Sequence, residues 1–259
     1  MPDRVSRPPP STAAPSYLLE GRYLGVEHIG RGEMADVFSG TDTWSGELLA
    51  VHRLRMDRPE TASAFRRRAE RLFGLTSARV VRAIATGDDR DGRPYLVTEL
   101  LIGRGVERLT KVRWEVAAEI VRLGALAVSE MHVNGLVHGS LEAKSFFVAA
   151  SAEGGPRVKL LDLGVGDRRA TPAQDRRALA TILVRMIGSA PDAPPALAEH
   201  ARRWLAAEDD DPTASPTEIA LALRALLDPD GALTDGERES APMPEVLVFP
   251  KSFVRLGDE

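Results

Sequence analysis

The chain has 259 residues, of which 43% are hydrophobic and 28% are charged, and its net charge at pH 7 is -4. These values predict a soluble globular protein with one medium domain or two small lobes. With no cysteine, the chain has no disulfides, thiolate chemistry or cysteine-based zinc site. It also has no apolar run of about 18 residues that would span a membrane. Residues 1–16 lack the apolar segment of a secretory signal, so we expect a cytoplasmic protein.

Charge is unevenly distributed along the chain. Residues 53–82 contain nine arginines and three acids, whereas residues 208–245 contain eleven acids and two arginines. One interpretation is two solvated faces of opposite sign. The other is a basic surface that docks an acidic protein partner or the chain's own tail. Nucleic-acid binding is not expected, because the basic stretch has few interleaved aromatic residues and the whole chain is acidic.

The N-terminal part predicts a disordered segment followed by a β-sheet. Residues 1–16 are rich in Pro, Ser and Ala, which favours disorder. A strand over 23–29 leads into GRGEMADVF, residues 30–38, where two glycines would let backbone N–H groups approach phosphates. A hairpin with two glycines needs no ligand, however. A further strand carries LAVH, residues 49–52.

A helix and two more strands are predicted next. Residues 60–75 place one apolar face at helical spacing, formed by Phe65, Ala69, Leu72 and Phe73. Residues 80–86 and 95–101 read as strands that are joined by a turn with Asp-Gly.

The C-terminal part is predicted to be mainly helical. Trp114–Val133 is strongly periodic, with a buried stripe of Val116, Ile120, Leu123, Ala127 and Met131, and Asn134-Gly135 is a helix stop. His132 and His138 are interpreted as hydrogen-bonding core residues, since no acid or histidine has the spacing of a metal site. Residues 173–187, 196–207 and 217–227 predict three more helices.

Residues 136–164 combine a turn, a strand over Phe146–Ala149, a Gly-rich hairpin and a strand over 158–161 that ends in Asp162-Leu163-Gly164. With the glycine-rich loop and the LAVH strand, this order of motifs resembles the protein kinase family in its bacterial Ser/Thr form over about residues 21–227. The resemblance implies an α+β, bilobal protein kinase-like fold. Its N-lobe would be an antiparallel sheet plus one helix, and its mainly helical C-lobe would have a shortened activation segment.

The resemblance also implies a division of the chain. Residues 1–20 would be a disordered Pro-rich N-terminus, 21–101 the N-lobe, 102–228 the C-lobe, and 229–259 an acidic and apolar C-terminal tail. The apolar pieces of that tail would add a strand or dock in a groove, or the tail would be loosely ordered.

In a member of this family, some of the matching positions would bind ATP and magnesium. The resemblance assigns nucleotide contacts to Gly30, Gly32, Val37, Ala50, Glu99, Leu101 and Asp162, with Thr98 as gatekeeper, and it assigns Asp162 to the metal. The alternative for Asp162 is that its side chain only hydrogen-bonds the turn at Gly164.

Several catalytic positions depart from the family pattern. His52 replaces the lysine that holds the phosphates, and Arg68 falls where the family has the partner Glu of that lysine, although it also fits a solvated helix residue. Ser140 replaces the catalytic Asp and Ser145 the metal-binding Asn, while Glu142 replaces a lysine. A serine hydroxyl is no base at neutral pH.

The activation segment is also shortened. Ten residues, 165–174, separate Gly164 from Asp175, and they contain no Ala-Pro-Glu. We therefore predict a non-enzyme, a pseudokinase that acts as a protein-binding scaffold or allosteric regulator, and residual nucleotide binding is left open. The alternatives are an atypical active Ser/Thr protein kinase and an ATP-binding sensor. ATP, with or without Mg²⁺, is the one cofactor left open.

Overall fold

The computed structural model describes residues 17–57, 59–109, 112–149, 157–164, 169–188 and 192–231. The chain divides into two compact units. The first comprises Met1–Ala62 and Ile84–Leu100, and the second comprises Ser63–Ala83 and Leu101–Glu259. The predicted Pro-rich N-terminus up to residue 16 and the tail from residue 232 lie outside the described residues.

The described residues of the first unit form a six-stranded sheet with the strand order β1-β2-β3-β4-β6-β5. Adjacent strands from β1 to β4, and the pair β4 and β6, run antiparallel. The strands are β1 (Tyr17–Leu19), β2 (Tyr23–Arg31), β3 (Ala35–Asp42), β4 (Leu48–Leu54), β5 (Ala83–Asp88) and β6 (Pro94–Glu99).

Strand alternation gives this sheet two different faces. Leu49 and Val51 of β4 and Tyr95 and Val97 of β6 are buried in one apolar cluster. Because successive side chains of a strand point to opposite faces, Ala50 and His52, which alternate with Leu49 and Val51, belong to the other face.

The described residues of the second unit form five α-helices and a small sheet. The helices are α1 (Ala62–Phe73), whose first residue falls in the first unit, α2 (Trp114–Val133), α3 (Pro172–Ile187), α4 (Pro195–Ala206) and α5 (Pro216–Leu227). The sheet consists of β7 (Gly103–Gly105), β8 (Phe146–Ala149) and β9 (Arg157–Leu160). Helix α2 is the centre of the second unit, because α3, α5 and β9 all pack against it.

These elements confirm the predicted fold class, an α+β protein kinase-like fold. Helix α2 has the predicted bounds, its whole predicted stripe is buried, and Gly135 after it has a φ of 69°. One packing prediction was wrong: Phe73 is 45% exposed, because the apolar face of α1 ends at Leu72.

The strand predicted over 80–86 begins only at Ala83, and Val80 instead forms a parallel bridge with Leu160. Residues 63–83 belong to the second unit. The predicted boundaries of the N-lobe, the C-lobe and the two terminal segments stay predictions. Within the described residues, no helix combines the length and the apolarity that crossing a bilayer requires.

Candidate active site

Asp162 lies two residues beyond the end of β9 in the second unit. Its Oδ1 accepts a hydrogen bond of 2.8 Å from the backbone N–H of Gly164. The same oxygen lies 3.0 Å from His138 Nε2 and 3.8 Å from Arg68 Nε. The turn contact expected of Asp162 is thus present, but it is one of three contacts on a single carboxylate oxygen.

The turn after Asp162 depends on a glycine. Gly164 has a φ of 65°, a left-handed conformation that side chains other than glycine adopt at a cost. A Cβ at this position would overlap the carbonyl oxygen of His138. The absence of a side chain at Gly164 therefore lets the turn approach the loop that carries His138.

His138 is a buried residue whose side chain lies next to Asp162 and whose backbone N–H contacts Asp175. Its Nδ1 accepts a hydrogen bond of 3.3 Å from the backbone N–H of Ser140, so in the neutral ring the proton is on Nε2, next to Asp162. Its own backbone N–H donates to Asp175 at 2.9 Å. His138 is therefore the hydrogen-bonding core residue that the sequence predicted, through its Nδ1 and its backbone N–H.

Asp175, in the first turn of α3, holds the loop that carries His138. This carboxylate is fully buried and accepts hydrogen bonds from the N–H groups of His138 and Gly139, at 2.9 and 2.7 Å. His132 Nε2 lies 2.9 Å from it as well. The helix begins locally, with Thr171 and Gln174 forming a capping box, and its N-terminus favours a negative charge.

The surroundings of Asp162 keep its carboxylate ionised. Burial by itself raises the pKa of Asp162, but the contact with His138, the charge of Arg68 and the N–H of Gly164 outweigh it. The net effect holds the pKa well below its ordinary value. The side chain is 20% exposed, and none of the described residues donates a hydrogen bond to its other oxygen, Oδ2.

An ionised carboxylate with one oxygen that accepts no hydrogen bond from the described residues is a suitable ligand for Mg²⁺. Proteins usually bind this ion through one or two carboxylates, while substrate phosphates and water fill the other positions. Among the described residues, no group of three or more acids and histidines forms a metal site. The metal site that the resemblance assigned to Asp162 stays a prediction.

The two serines of the catalytic loop differ in their surroundings. Ser145 is buried, and its Oγ accepts a hydrogen bond of 3.3 Å from the N–H of Glu142 in a capping box. Its hydroxyl therefore stabilises the loop and does not fit the role of the missing metal ligand. Ser140 is exposed, and Glu142 forms an exposed ion pair of 3.0 Å with Lys144.

Helix α1 contributes two arginines to the second unit's site. Arg68 is described above, and Arg71 donates a hydrogen bond of 2.8 Å from Nη2 to the carbonyl of Val137. Burial lowers the pKa of Arg71, and the charges of Asp175 and Asp162 offset part of this effect. Arg68 is thus not simply a solvated helix residue.

The first unit carries most of the other predicted nucleotide residues. Gly30 and Gly32 lie at a tight hairpin closed by a hydrogen bond of 2.8 Å from the N–H of Gly32 to the carbonyl of Ala35. Val37 pairs with His52 across β3 and β4, and Ala50 shares their face of the sheet. Their predicted contact with a nucleotide stays a prediction.

His52, which replaces the family's lysine, has a specific neighbour. Its Nε2 lies 3.2 Å from Oγ1 of Thr98, the predicted gatekeeper, whose hydroxyl donates to the carbonyl of Glu99. Glu99 ends β6, and Leu101 follows in the second unit. The sequence did not indicate the contact between His52 and Thr98, since 46 residues separate the two in the chain.

The fold and these two groups of residues define a protein kinase-like domain. The sequence model of the lipopolysaccharide kinase (Kdo/WaaP) family matches residues 60–194, just over half of the chain. The chain therefore belongs to this kinase-like family, as the resemblance to bacterial kinases predicted.

Curated relatives and solved structures agree with this assignment. A probable serine/threonine-protein kinase PknB of Bifidobacterium longum is 28% identical over 190 residues, and one of Corynebacterium glutamicum is 30% identical over 188 residues. The matches cover 66% and 68% of this chain but only 27% of each relative, so the chain spans about a quarter of their length. The Mycobacterium tuberculosis PknI kinase domain has a TM-score of 0.63 at 20% identity, and the match covers 80% of this chain and 97% of that one.

The names of these relatives correct one prediction. The replaced residues at His52, Arg68, Ser140 and Ser145 led us to predict a non-enzyme, a pseudokinase. The curated relatives are serine/threonine-protein kinases by name, which points to an enzyme. The prediction was wrong because it inferred the activity of the whole site from the absence of individual groups.

Proposed function

We propose that this domain is an atypical serine/threonine protein kinase, which transfers the γ-phosphoryl group of ATP to a hydroxyl group of a protein partner. The names of its relatives support the reaction class. On this proposal the protein partner expected from the sequence is the phosphorylated substrate. The domain would work in the cytoplasm, where ATP is abundant.

The observation that carries this proposal is the arrangement at Asp162. Three contacts hold its Oδ1, its pKa is below the ordinary value, and none of the described residues donates to Oδ2. We infer that the Asp162 carboxylate would hold Mg²⁺ that arrives with ATP. The ion would neutralise the charge that develops on the transferred group.

The replacement of the family's catalytic Asp by Ser140 does not by itself exclude phosphoryl transfer. In phosphoryl transfer, the hydroxyl oxygen forms a bond to the γ-phosphorus, the bond from that phosphorus to the bridging oxygen breaks, and ADP leaves. The transition state is loose in most analyses, so catalysis depends mainly on position and charge. A general base typically contributes about 10²–10⁴-fold. With Ser140 in the position of the base, the hydroxyl proton would pass to water, and we expect a slow enzyme.

The proposal is tested by incubating the full chain with γ-labelled ATP and Mg²⁺ or Mn²⁺. Label should appear slowly on serine or threonine of the chain itself or of generic protein substrates, with release of ADP. The Asp162→Asn variant should lose the transfer, because the neutral amide binds the metal poorly. Asp209→Asn, which changes an exposed carboxylate on another part of the unit, should match the wild type.

Two results would contradict the proposal that this domain is a kinase. Transfer that is equal in wild type and Asp162→Asn would indicate a contaminating enzyme. If ATP raises the melting temperature of the chain but no label is transferred, an ATP-binding sensor would replace the kinase as the function of this site.

A further inference from the structure

We propose that Arg68 is the phosphate-binding cation of this site, and that its guanidinium takes the positive role of the family's lysine, which this chain replaces with His52. This inference rests on the proposed use of ATP, but it does not depend on phosphoryl transfer. It concerns a position where the family pattern places a negative charge.

The position of Arg68 on α1 turns its side chain toward the interior of the second unit. It lies three residues after Phe65 and four before Leu72, and both of these are buried. Residues at this spacing share a face of a helix. The side chain of Arg68 is accordingly only 23% exposed, although it carries a full positive charge.

The guanidinium of Arg68 has no hydrogen-bond acceptor among the described residues. Its Nε is buried without a hydrogen bond, and its one carboxylate neighbour, Asp162 Oδ1, is 3.8 Å away, beyond hydrogen-bonding distance. A largely buried charge is normally hydrogen-bonded, because its desolvation is otherwise uncompensated. A ligand with acceptor oxygens would therefore supply the hydrogen bonds that Arg68 lacks.

The groups nearest to Arg68 have other partners. The carboxylate oxygen nearest to Arg68, Asp162 Oδ1, accepts from Gly164, lies close to His138 and is 3.8 Å from Arg68 Nε. Arg71, on the same helix, donates from Nη2 to the carbonyl of Val137, although its Nε, like that of Arg68, is buried without a hydrogen bond. Arg68 is thus the arginine of this pair that donates to none of the described residues.

Phosphate matches this unfilled requirement better than other ligands. A guanidinium has five N–H donors in a planar fork that suits two oxygens of a phosphate. The metal proposed at Asp162 would bring phosphate oxygens to the carboxylate that Arg68 faces. The sequence has no lysine before Lys111, so lysine cannot take this role anywhere in the first 110 residues.

Equilibrium binding of ATP and of adenosine to the full chain tests this inference. The variants are Arg68→Gln, which removes the charge, Arg68→Lys, which keeps the charge without the fork, and Arg67→Gln, a matched change at the exposed neighbouring arginine. We expect Arg68→Gln to weaken ATP binding by about 10- to 100-fold, the range for a hydrogen bond to a charged group. Adenosine binding should not change. Arg68→Lys should fall between, and Arg67→Gln should match the wild type.

The results separate this inference from the proposed function. ATP binding that depends on Arg68, without any transfer of phosphate, would support the inference while the kinase proposal fails. Equal affinity of wild type and Arg68→Gln for ATP would overturn the inference whether or not the chain is a kinase. An equal loss of adenosine binding would also overturn it, because the effect would then be a general disturbance. Thermal melting of Arg68→Lys provides the folded reference if Arg68→Gln is unstable.

Discussion

The carboxylate of Asp175 accepts a hydrogen bond of 2.9 Å from the backbone N–H of His138, 37 residues earlier in the chain. A second one comes from Gly139. These bonds tie the first turn of α3 to the loop whose histidine contacts Asp162. The position of the proposed metal ligand therefore depends on a carboxylate that does not touch it.

Removal of this buried acceptor should destabilise the second unit. In Asp175→Ala, two backbone N–H groups and His132 lose their partner, and we expect the free energy of unfolding to fall by about 3–5 kcal/mol. Urea denaturation measures it. Asp209→Ala is the control, because Asp209 forms an exposed pair with Arg177, and its loss should cost about 0–1 kcal/mol. Equal losses in the two variants would contradict the role assigned to Asp175.

A substitution that introduces a general base at position 140 should accelerate the proposed reaction. Ser140 is exposed and occupies the position of the family's catalytic Asp, so Ser140→Asp restores a proton acceptor in that position. We expect phosphate transfer to rise by about 10²–10⁴-fold, with little change in ATP affinity. Initial rates with labelled ATP measure the effect. Ser140→Asn, which has the shape but no basicity, should remain at the wild-type rate, and an equal gain in both would refute the explanation.

Gly164 and Gly135 offer a comparison of two glycines with nearly the same backbone. Their φ values are 65° and 69°, but a Cβ at Gly164 would overlap the His138 carbonyl, whereas one at Gly135 would meet nothing within 4 Å. Gly135→Ala should therefore cost only the conformational strain, about 1–2 kcal/mol. Gly164→Ala should cost more and should also weaken binding of Mg²⁺-ATP. Urea denaturation and nucleotide titration of both variants check this, and equal effects would show that the close approach to His138 is unimportant.

Asp42 in the first unit gives a prediction about pH. The hydrogen bonds from Arg22 lower the pKa of Asp42 to about 2, and this outweighs the effect of burial. Because the folded-state pKa is below that of the unfolded chain, about 3.9, the ionised group stabilises the fold above about pH 4. This contribution is lost as the pH falls toward 2. The difference in melting temperature between wild type and Asp42→Asn should therefore be constant from pH 7 to 5 and shrink below pH 4.

Much of the fold was predictable because its signals are local. Helix α2 was predicted with both ends correct, since its apolar period is regular and Asn134 and Gly135 stop it. The strand Phe146–Ala149 was also correct. The three-residue strands β1 and β7 were not predicted, because so short a segment carries no period.

The contacts of the site were less predictable. The family resemblance indicated Asp162, but nothing local pairs it with His138 or with Arg68, which is 94 residues away in the chain. Arg68 fitted a solvated helix residue equally well, because its inward orientation follows from how α1 packs. Only the fold brings these side chains together.

The path of the chain between its two units limits how the protein can be divided into fragments. Residues 63–83 leave the first unit and belong to the second, and residues 84–100 return to complete the sheet. A fragment cut after residue 62 lacks Tyr95 and Val97 of the apolar cluster. A fragment cut after residue 100 keeps α1 without most of the second unit, to which residues 63–83 belong. Expression of either unit alone therefore requires an internal deletion or a rejoined chain, and simple truncation from one end should yield insoluble material.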